Sequence, residues 1–371
     1  MAICTVRWHT LRRKGVFILD LPIKDRVRQA AEQMMANTKV PGVVVVVARP
    51  NEPTMHLAVG VDGLGRPLAA DSLFPVASVT KLATALATLR LVDAGLVDLD
   101  DLLRDHLPYA VAAHSDVTIR SLLSHTSGLP VELAAQDVTY AVGLDWEKLG
   151  QACLQTGLEA LPDTRVQYSN VGYGLLALVL EHYTNQLFSD ALTSLVLEPL
   201  RIEGYLGVEP PDPAVTIAGV RSSHTGTMLE PFNSAFWRGL ALPWAGLLTN
   251  ADGALALVRA FQGFPHGFLA PQTVAIATAN QSGDLGGGLY PPLMWERCPW
   301  GLGPELRADK TPHWAPEQAS PASFGHSGAS GCLVWADPMA EVAWAILGSQ
   351  TADNGWLLRR SGAISSAILA G

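Results

Sequence analysis

Apolar positions along the chain fall into three kinds of pattern. From Asp25 to Asn37 they recur at helical spacing, with Val27, Ala30, Ala31 and Met34 on one face, which predicts an amphipathic helix. Pro41-Gly42 then breaks the chain, and Val43 to Val47 is an unbroken run of valines. So short a β-branched run predicts a strand buried on both faces, with Met55 to Val61 pairing beside it as a hairpin. From Ser78 to Ala94 the chain is apolar on nearly every side, Leu82, Ala85, Leu86, Leu89 and Val92 marking one face and Gly95 the end. Such a stretch predicts a helix enclosed by the rest of the protein.

Residues 99–215 carry mainly helical signals, among them Ile119–Leu123, Trp146–Thr156 and Gly172–Glu181. Residues 243–262 predict another apolar helix, and the loop-rich 263–322 predicts a rim over a site. Cys332–Trp335 and Val342–Leu347 predict two strands turned at Asp337-Pro338, and Asn354–Leu369 a closing helix. Strands at both ends with helices between them predict an α+β protein, a sheet sandwiched by helices with a helical domain inserted into it. The expected division is an N-terminal extension 1–20, a discontinuous sandwich domain of 21–100 and 216–371, and a helical domain 101–215.

Composition narrows the classes. Hydrophobic residues make up 49% of the 371 and charged residues 16%, so wholesale disorder is excluded. A formal charge of -9 leaves no general basic field for nucleic acid or an anionic membrane, so neither is expected as a partner. The longest strongly apolar run, Val40 to Ala48, is far short of the roughly 18 residues that span a bilayer. The basic start, Met1 to Lys14, lacks the apolar core of a signal peptide, and a cytoplasmic location is the expectation. Cys4, Cys153, Cys298 and Cys332 stand far apart without zinc spacing, so no metal is expected.

One residue demands a chemical explanation. Lys81 is the only charge between Asp71 and Arg90, near the start of a helix that reads as buried. A buried ammonium is costly, and burial lowers a lysine pKa towards that of a usable general base. Ser78 lies three residues earlier, one turn away on the same face, where a backbone N–H is free at the helix start. A nucleophile, a base and an oxyanion donor thus come from one turn. The bland alternative is a capping serine with a snorkelling lysine.

Two further elements fit the same chemistry. Tyr168-Ser169-Asn170 lies in a polar loop feeding an apolar helix; the phenol could carry protons and the Asn170 amide orient a carbonyl or Lys81. The similar Tyr183-Thr184-Asn185 falls at a helix exit and is set aside. His326-Ser327-Gly328 enters the apolar strand at Cys332, and the Ala329 N–H could be a second oxyanion donor. His224-Thr225-Gly226 has the same pattern with no strand after it and is likewise set aside. No Gly-x-Ser-x-Gly occurs, which excludes an α/β-hydrolase elbow.

Ser78-Val79-Thr80-Lys81, Tyr168-Ser169-Asn170 and His326-Ser327-Gly328, spaced 90 and 248 residues from Ser78, resemble in order the three motifs of the penicillin-recognising serine hydrolases. The similarity is to the class C β-lactamase-like branch: β-lactamase-like carboxylesterases, D-alanyl-D-alanine carboxypeptidases and D-aminopeptidases. Leu122-Leu123-Ser124-His125-Thr126-Ser127-Gly128-Leu129-Pro130, Ala245-Gly246-Leu247-Leu248-Thr249 and Trp300-Gly301-Leu302-Gly303 resemble it too, and only the first 20 residues fall outside.

The resemblance implies an antiparallel sheet, with the active site between sandwich and helical insertion. It implies that Ser78 is acylated, that Lys81 and Tyr168 share the proton work, and that Ser78 and Ala329 N–H groups form the oxyanion hole. Asn170, His326, Ser327 and Gly328 would bind substrate, with no cofactor or metal. His326 stands where β-lactamases of this branch usually carry lysine, so weak or no β-lactamase activity is expected; Lys310-Thr311-Pro312 precedes that motif and reads as coincidence. The expected substrate is a small ester or amide, handled by a monomer or weak homo-oligomer. Trp237, Trp244, Trp295, Trp300 and Trp314 would suit an apolar acyl pocket. The alternatives are a D-stereospecific peptidase or amidase, an acyltransferase or peptide cyclase, and a catalytically silent binding protein of the same fold.

Overall fold

The computed structural model describes residues 22–370. The N-terminal extension 1–20 and Cys4 lie outside them. Among the described residues, six strands form one sheet, every neighbouring pair antiparallel. We number them β1 (Gly42–Ala48), β2 (Met55–Gly60), β3 (Glu305–Leu306), β4 (Phe324–Gly328), β5 (Cys332–Asp337) and β6 (Val342–Gly348). Their spatial order is β2-β1-β6-β5-β4-β3, so strands from the two ends of the chain interleave.

The valine run shows why the sheet is buried on both sides. Alternate side chains point to opposite faces. Val44 and Val46 join a core with Leu82 and Leu86 of the long apolar helix. Val43, Val45 and Val47 join a second core with Val27, Ala31 and Met34 near the N-terminus and Ile364 and Ile368 near the C-terminus. Each such valine contributes about 1.5–3 kcal/mol by burial, on whichever face it lies. The helices concerned are α1 (Ile23–Ala36), α2 (Thr80–Asp93), α3 (Asn170–Thr184), α4 (Ala251–Ala260) and α5 (Gly362–Leu369). None of the described helices is long and apolar enough to cross a membrane.

The structure corrects three sequence expectations. The helix expected over 243–262 is confined to α4, capped by the Asn250 side chain, which accepts from the Gly253 N–H. Residues before it bond to α2 instead: the Pro243 carbonyl accepts from the Thr84 hydroxyl and the Leu247 N–H donates to Thr80 Oγ1. The closing helix is split into Trp356–Arg360 and α5, where the Ser361 hydroxyl bonds back to the Leu357 carbonyl. Loop-rich 263–322 is not a rim over Ser78. It holds a short helix, Pro271–Ala277, and a hairpin of Gly287–Tyr290 with Leu293–Trp295, and it packs Trp300 and Trp314 inward.

Candidate active site

Ser78 sits in a 3-10 turn, Ala77–Val79, immediately before α2, and not in the helix's first turn. Ala77 is held at φ 47°, a conformation that side chains disfavour and that functional turns often store. Its neighbours pin the turn. The Val76 N–H donates to the Leu247 carbonyl at 3.0 Å. Gly328, at the end of β4, approaches so closely that a Cβ there would lie 2.3 Å from the Val76 carbonyl oxygen. This close approach accounts for a glycine at the end of the His326-Ser327-Gly328 motif.

Lys81 is fully buried at the start of α2. Its Nζ donates to Asn170 Oδ1 at 2.6 Å and to the Trp244 carbonyl at 3.1 Å, and lies 4.5 Å from the centroid of the Tyr168 ring. The Tyr168 phenol is hydrogen-bonded to Ser78. Hydroxyl, phenol and amine therefore converge around one ring. Burial holds the Lys81 ammonium well below the usual lysine range, opposed by the Glu132 carboxylate. Burial pushes the Tyr168 phenol well up, against the Ser78 hydrogen bond. Both groups thus favour their neutral forms: an amine able to accept a proton and a phenol able to give one.

The Tyr168-Ser169-Asn170 turn owes its shape to the Ser124-to-Pro130 segment. Ser169 caps α3 by accepting from the Gly172 N–H, and donates its own hydroxyl to the Pro130 carbonyl. The Ser169 N–H donates to His125 Nδ1, so neutral His125 carries its proton on Nε2. Its ring packs 4.5 Å from that of Tyr168. The Asn170 N–H donates to the Val131 carbonyl, and its Nδ2 to Glu132 Oε1 at 2.7 Å.

His326 lies behind Tyr168, with ring centroids 6.0 Å apart, and is 2% exposed. Its Nδ1 lies 2.7 Å from the Ser327 carbonyl, which only accepts, so Nδ1 carries the proton. Burial, then the Lys81 charge, pushes this imidazole down to about 4, against the Ser327 bond and Glu305. Between its ordinary 6.5 and about 4 the unfolded chain binds a proton here that the folded chain does not. Stability should therefore fall as pH drops through that window, by about 3 kcal/mol from this residue. Denaturant unfolding at pH 7 and pH 4 measures it, and His326→Gln should show a smaller acid loss; an equal loss would refute the buried neutral imidazole.

A cavity of about 630 Å3 opens onto this cluster. Ser78, Asn170 and Ala329 line it; Lys81, Tyr168, His326, Ser327 and Gly328 do not. Its walls are largely apolar, with Leu133, Tyr140, Phe232 and Leu242 beside Trp237 and Trp244. Trp295, Trp300 and Trp314, expected in the same pocket, are not part of it. Several polar residues on the wall escaped the sequence reading, His224 and Glu132 among them. His224, set aside for want of a following strand, packs 5.1 Å from the Tyr140 ring and faces the cavity. Glu132 follows the Leu129-Pro130 segment in an irregular loop, where no periodicity or spacing marks it.

Known proteins resemble this chain along most of its described length. A family model described as beta-lactamase matches residues 27–364. The chain is 33% identical over 234 residues to penicillin-binding protein 4 of Amycolatopsis lactamdurans, covering 59% of either protein. It is 30% identical over 298 residues to esterase EstB of Burkholderia gladioli, covering 70% of this chain and 75% of the esterase. A solved beta-lactamase structure from Mycobacterium bovis is 28% identical, with a TM-score of 0.65 over 92% of this chain and 98% of that one.

Proposed function

This chain belongs to the beta-lactamase family, and from that premise we propose that it hydrolyses small esters through an acyl-enzyme at Ser78. The observation that carries the reading is the Ser78–Tyr168 hydrogen bond with the Lys81 amine against the same ring. Ser78 Oγ attacks the ester carbonyl and its proton passes to Lys81. The N–H groups of Ser78 and Ala329 receive the oxyanion, and both residues line the cavity. Tyr168 returns a proton to the departing alkoxide, and water then releases the acyl group. Asn170 holds Lys81, and His326 backs Tyr168, which makes it a positioning residue more than a substrate ligand.

Esters are favoured over β-lactams because substrates of the latter kind carry a carboxylate, and a neutral buried His326 offers it no charge. The likeness to esterase EstB supports the same choice. The test is to quench a reaction with a slow-leaving ester and map the acyl mass shift by peptide. A shift on the Ser78 peptide is expected; a shift elsewhere, or none with any acylating probe, overturns the reading and favours a silent binding protein.

A second reading rests on Glu132. Its carboxylate, exposed in the cavity and fixed by Asn170, suits an ammonium beside the scissile carbonyl, as in an amino-acid amide or ester. Comparing phenylalanine methyl ester, in both configurations, with its analogue lacking the amine separates the two. Faster turnover of the desamino ester supports the plain esterase; a strong preference for either amine-bearing ester supports the second reading.

A further inference from the structure

Behind Tyr168, away from the cavity, lies a buried ionic cluster that none of the chemistry above uses. Lys310 Nζ donates to Glu305 Oε1 at 3.0 Å, and their side chains are 0% and 2% exposed. His313 Nδ1 accepts from the Ala315 N–H, so Nε2 carries the proton, and it lies 3.3 Å from the same carboxylate oxygen. Burial alone would raise the Glu305 carboxyl; the Lys310 ammonium and then His313 outweigh it and hold it at about 2. The Lys310 and His313 side chains thus keep the buried Glu305 side chain in its carboxylate form. Lys310, in the stretch whose likeness to the lysine motif reads as coincidence, supplies the buried amine of this pair.

Fully desolvated ion pairs are a poor route to stability, because apolar replacements of similar volume are often as good or better. Their surroundings here point elsewhere. The Lys310 ammonium lies 4.9 Å from the centroid of the Trp300 ring and 4.8 Å from that of Trp295. Glu305 is the backbone bridge partner of Trp300 on one side and of Gly325, next to His326, on the other. Trp300 in turn packs 5.0 Å from His125, 6.0 Å from Tyr168 and 6.1 Å from His326. One indole therefore packs against the phenol ring and the two imidazoles beside it, and the same indole is in contact with the Lys310 amine.

We propose that the Glu305–Lys310 pair positions the proton-transfer machinery, clamping Trp300 so that its indole fixes the Tyr168 phenol and His326 behind Ser78. The cation holds the ring by a desolvated cation–π contact, and the carboxylate holds the cation. The pair touches no substrate, since none of its members lines the cavity. It acts through Trp300, and the proposal rests on the acyl-enzyme reading of Ser78.

The pair variant Glu305→Leu/Lys310→Met removes both charges together, so no lone charge stays buried. Loosened aim of the phenol should lower kcat for an alkyl ester about tenfold or more, with KM within about threefold. Trp300→Phe should show the same split, and the triple variant should be no slower than the pair variant, because all act on one ring. A folded pair variant with wild-type kcat, whatever its melting temperature, reduces the pair to a staple of the 305–313 loop and overturns the proposal. Should the pair variant fail to fold, Trp300→Phe decides: unchanged kcat overturns it, a kcat-selective loss sustains it. Failure of the acyl-enzyme reading is seen separately, as a wild-type protein that never acquires an acyl group on Ser78.

Discussion

Lys81→Met is expected to cut kcat/KM for a p-nitrophenyl ester by about 10³–10⁴-fold, at the upper end of what one acid–base group supplies. Methionine is close in length and leaves no buried charge, so the fold should survive; its cost is that Asn170 Oδ1 and the Trp244 carbonyl each lose a donor. Motif spacing alone leaves open whether Lys81 or Tyr168 takes the serine proton. The surroundings separate them. Lys81 is pushed down by burial and Tyr168 up, so at neutral pH the amine is the group with a free lone pair. The sign follows for activity: the rate should rise with pH through the lowered Lys81 value and level off below the ordinary lysine range. In Lys81→Met that rise should disappear. Steady-state rates across pH, with circular dichroism to verify folding, make the check. Retention of more than about a tenth of wild-type activity would hand the base role to Tyr168.

Much of this site is legible from sequence because its chemistry contradicts its surroundings. A lone lysine in an apolar helix and a polar turn before an apolar helix both stand out against the pattern that burial imposes. The valine run is legible for the opposite reason, since only a doubly covered strand tolerates it, and its residues divide between two cores. What stays hidden is fixed by tertiary partners. Residues 243–249 have a helical pattern, yet their carbonyls and N–H groups are taken by Lys81, Thr84 and Thr80. Trp295, Trp300 and Trp314 have pocket chemistry but no pocket, because a tryptophan's address depends on which layer the loop crosses. Glu132 and Lys310 have opposite fates, one exposed at the cavity and one wholly buried, and no local pattern distinguishes a solvated charge from a buried one. His224 faces the cavity although it lacks the strand context that singled out His326.

Tyr168→Phe should separate the two proton transfers that a single rate constant merges. The substitution removes one oxygen and keeps the ring, so the contacts with His125, Trp300 and the Lys81 amine persist. What is lost is the hydrogen bond to Ser78 and the proton donor. A phenol that burial keeps protonated is suited to give its proton to a leaving group, and to recover one through Lys81. Its absence should matter in proportion to the basicity of that group. For a methyl or ethyl ester, whose alkoxide cannot depart unprotonated, kcat should fall about 10²–10⁴-fold. For a p-nitrophenyl ester, which leaves as a stable anion, acylation should fall far less, so the ratio of the two rates becomes the diagnostic. Single-turnover acylation of both esters measures it. Equal losses on the two substrates would mean that Tyr168 orients Ser78 without donating, while Lys81→Met should slow both alike, since the serine proton must be removed whichever alcohol departs.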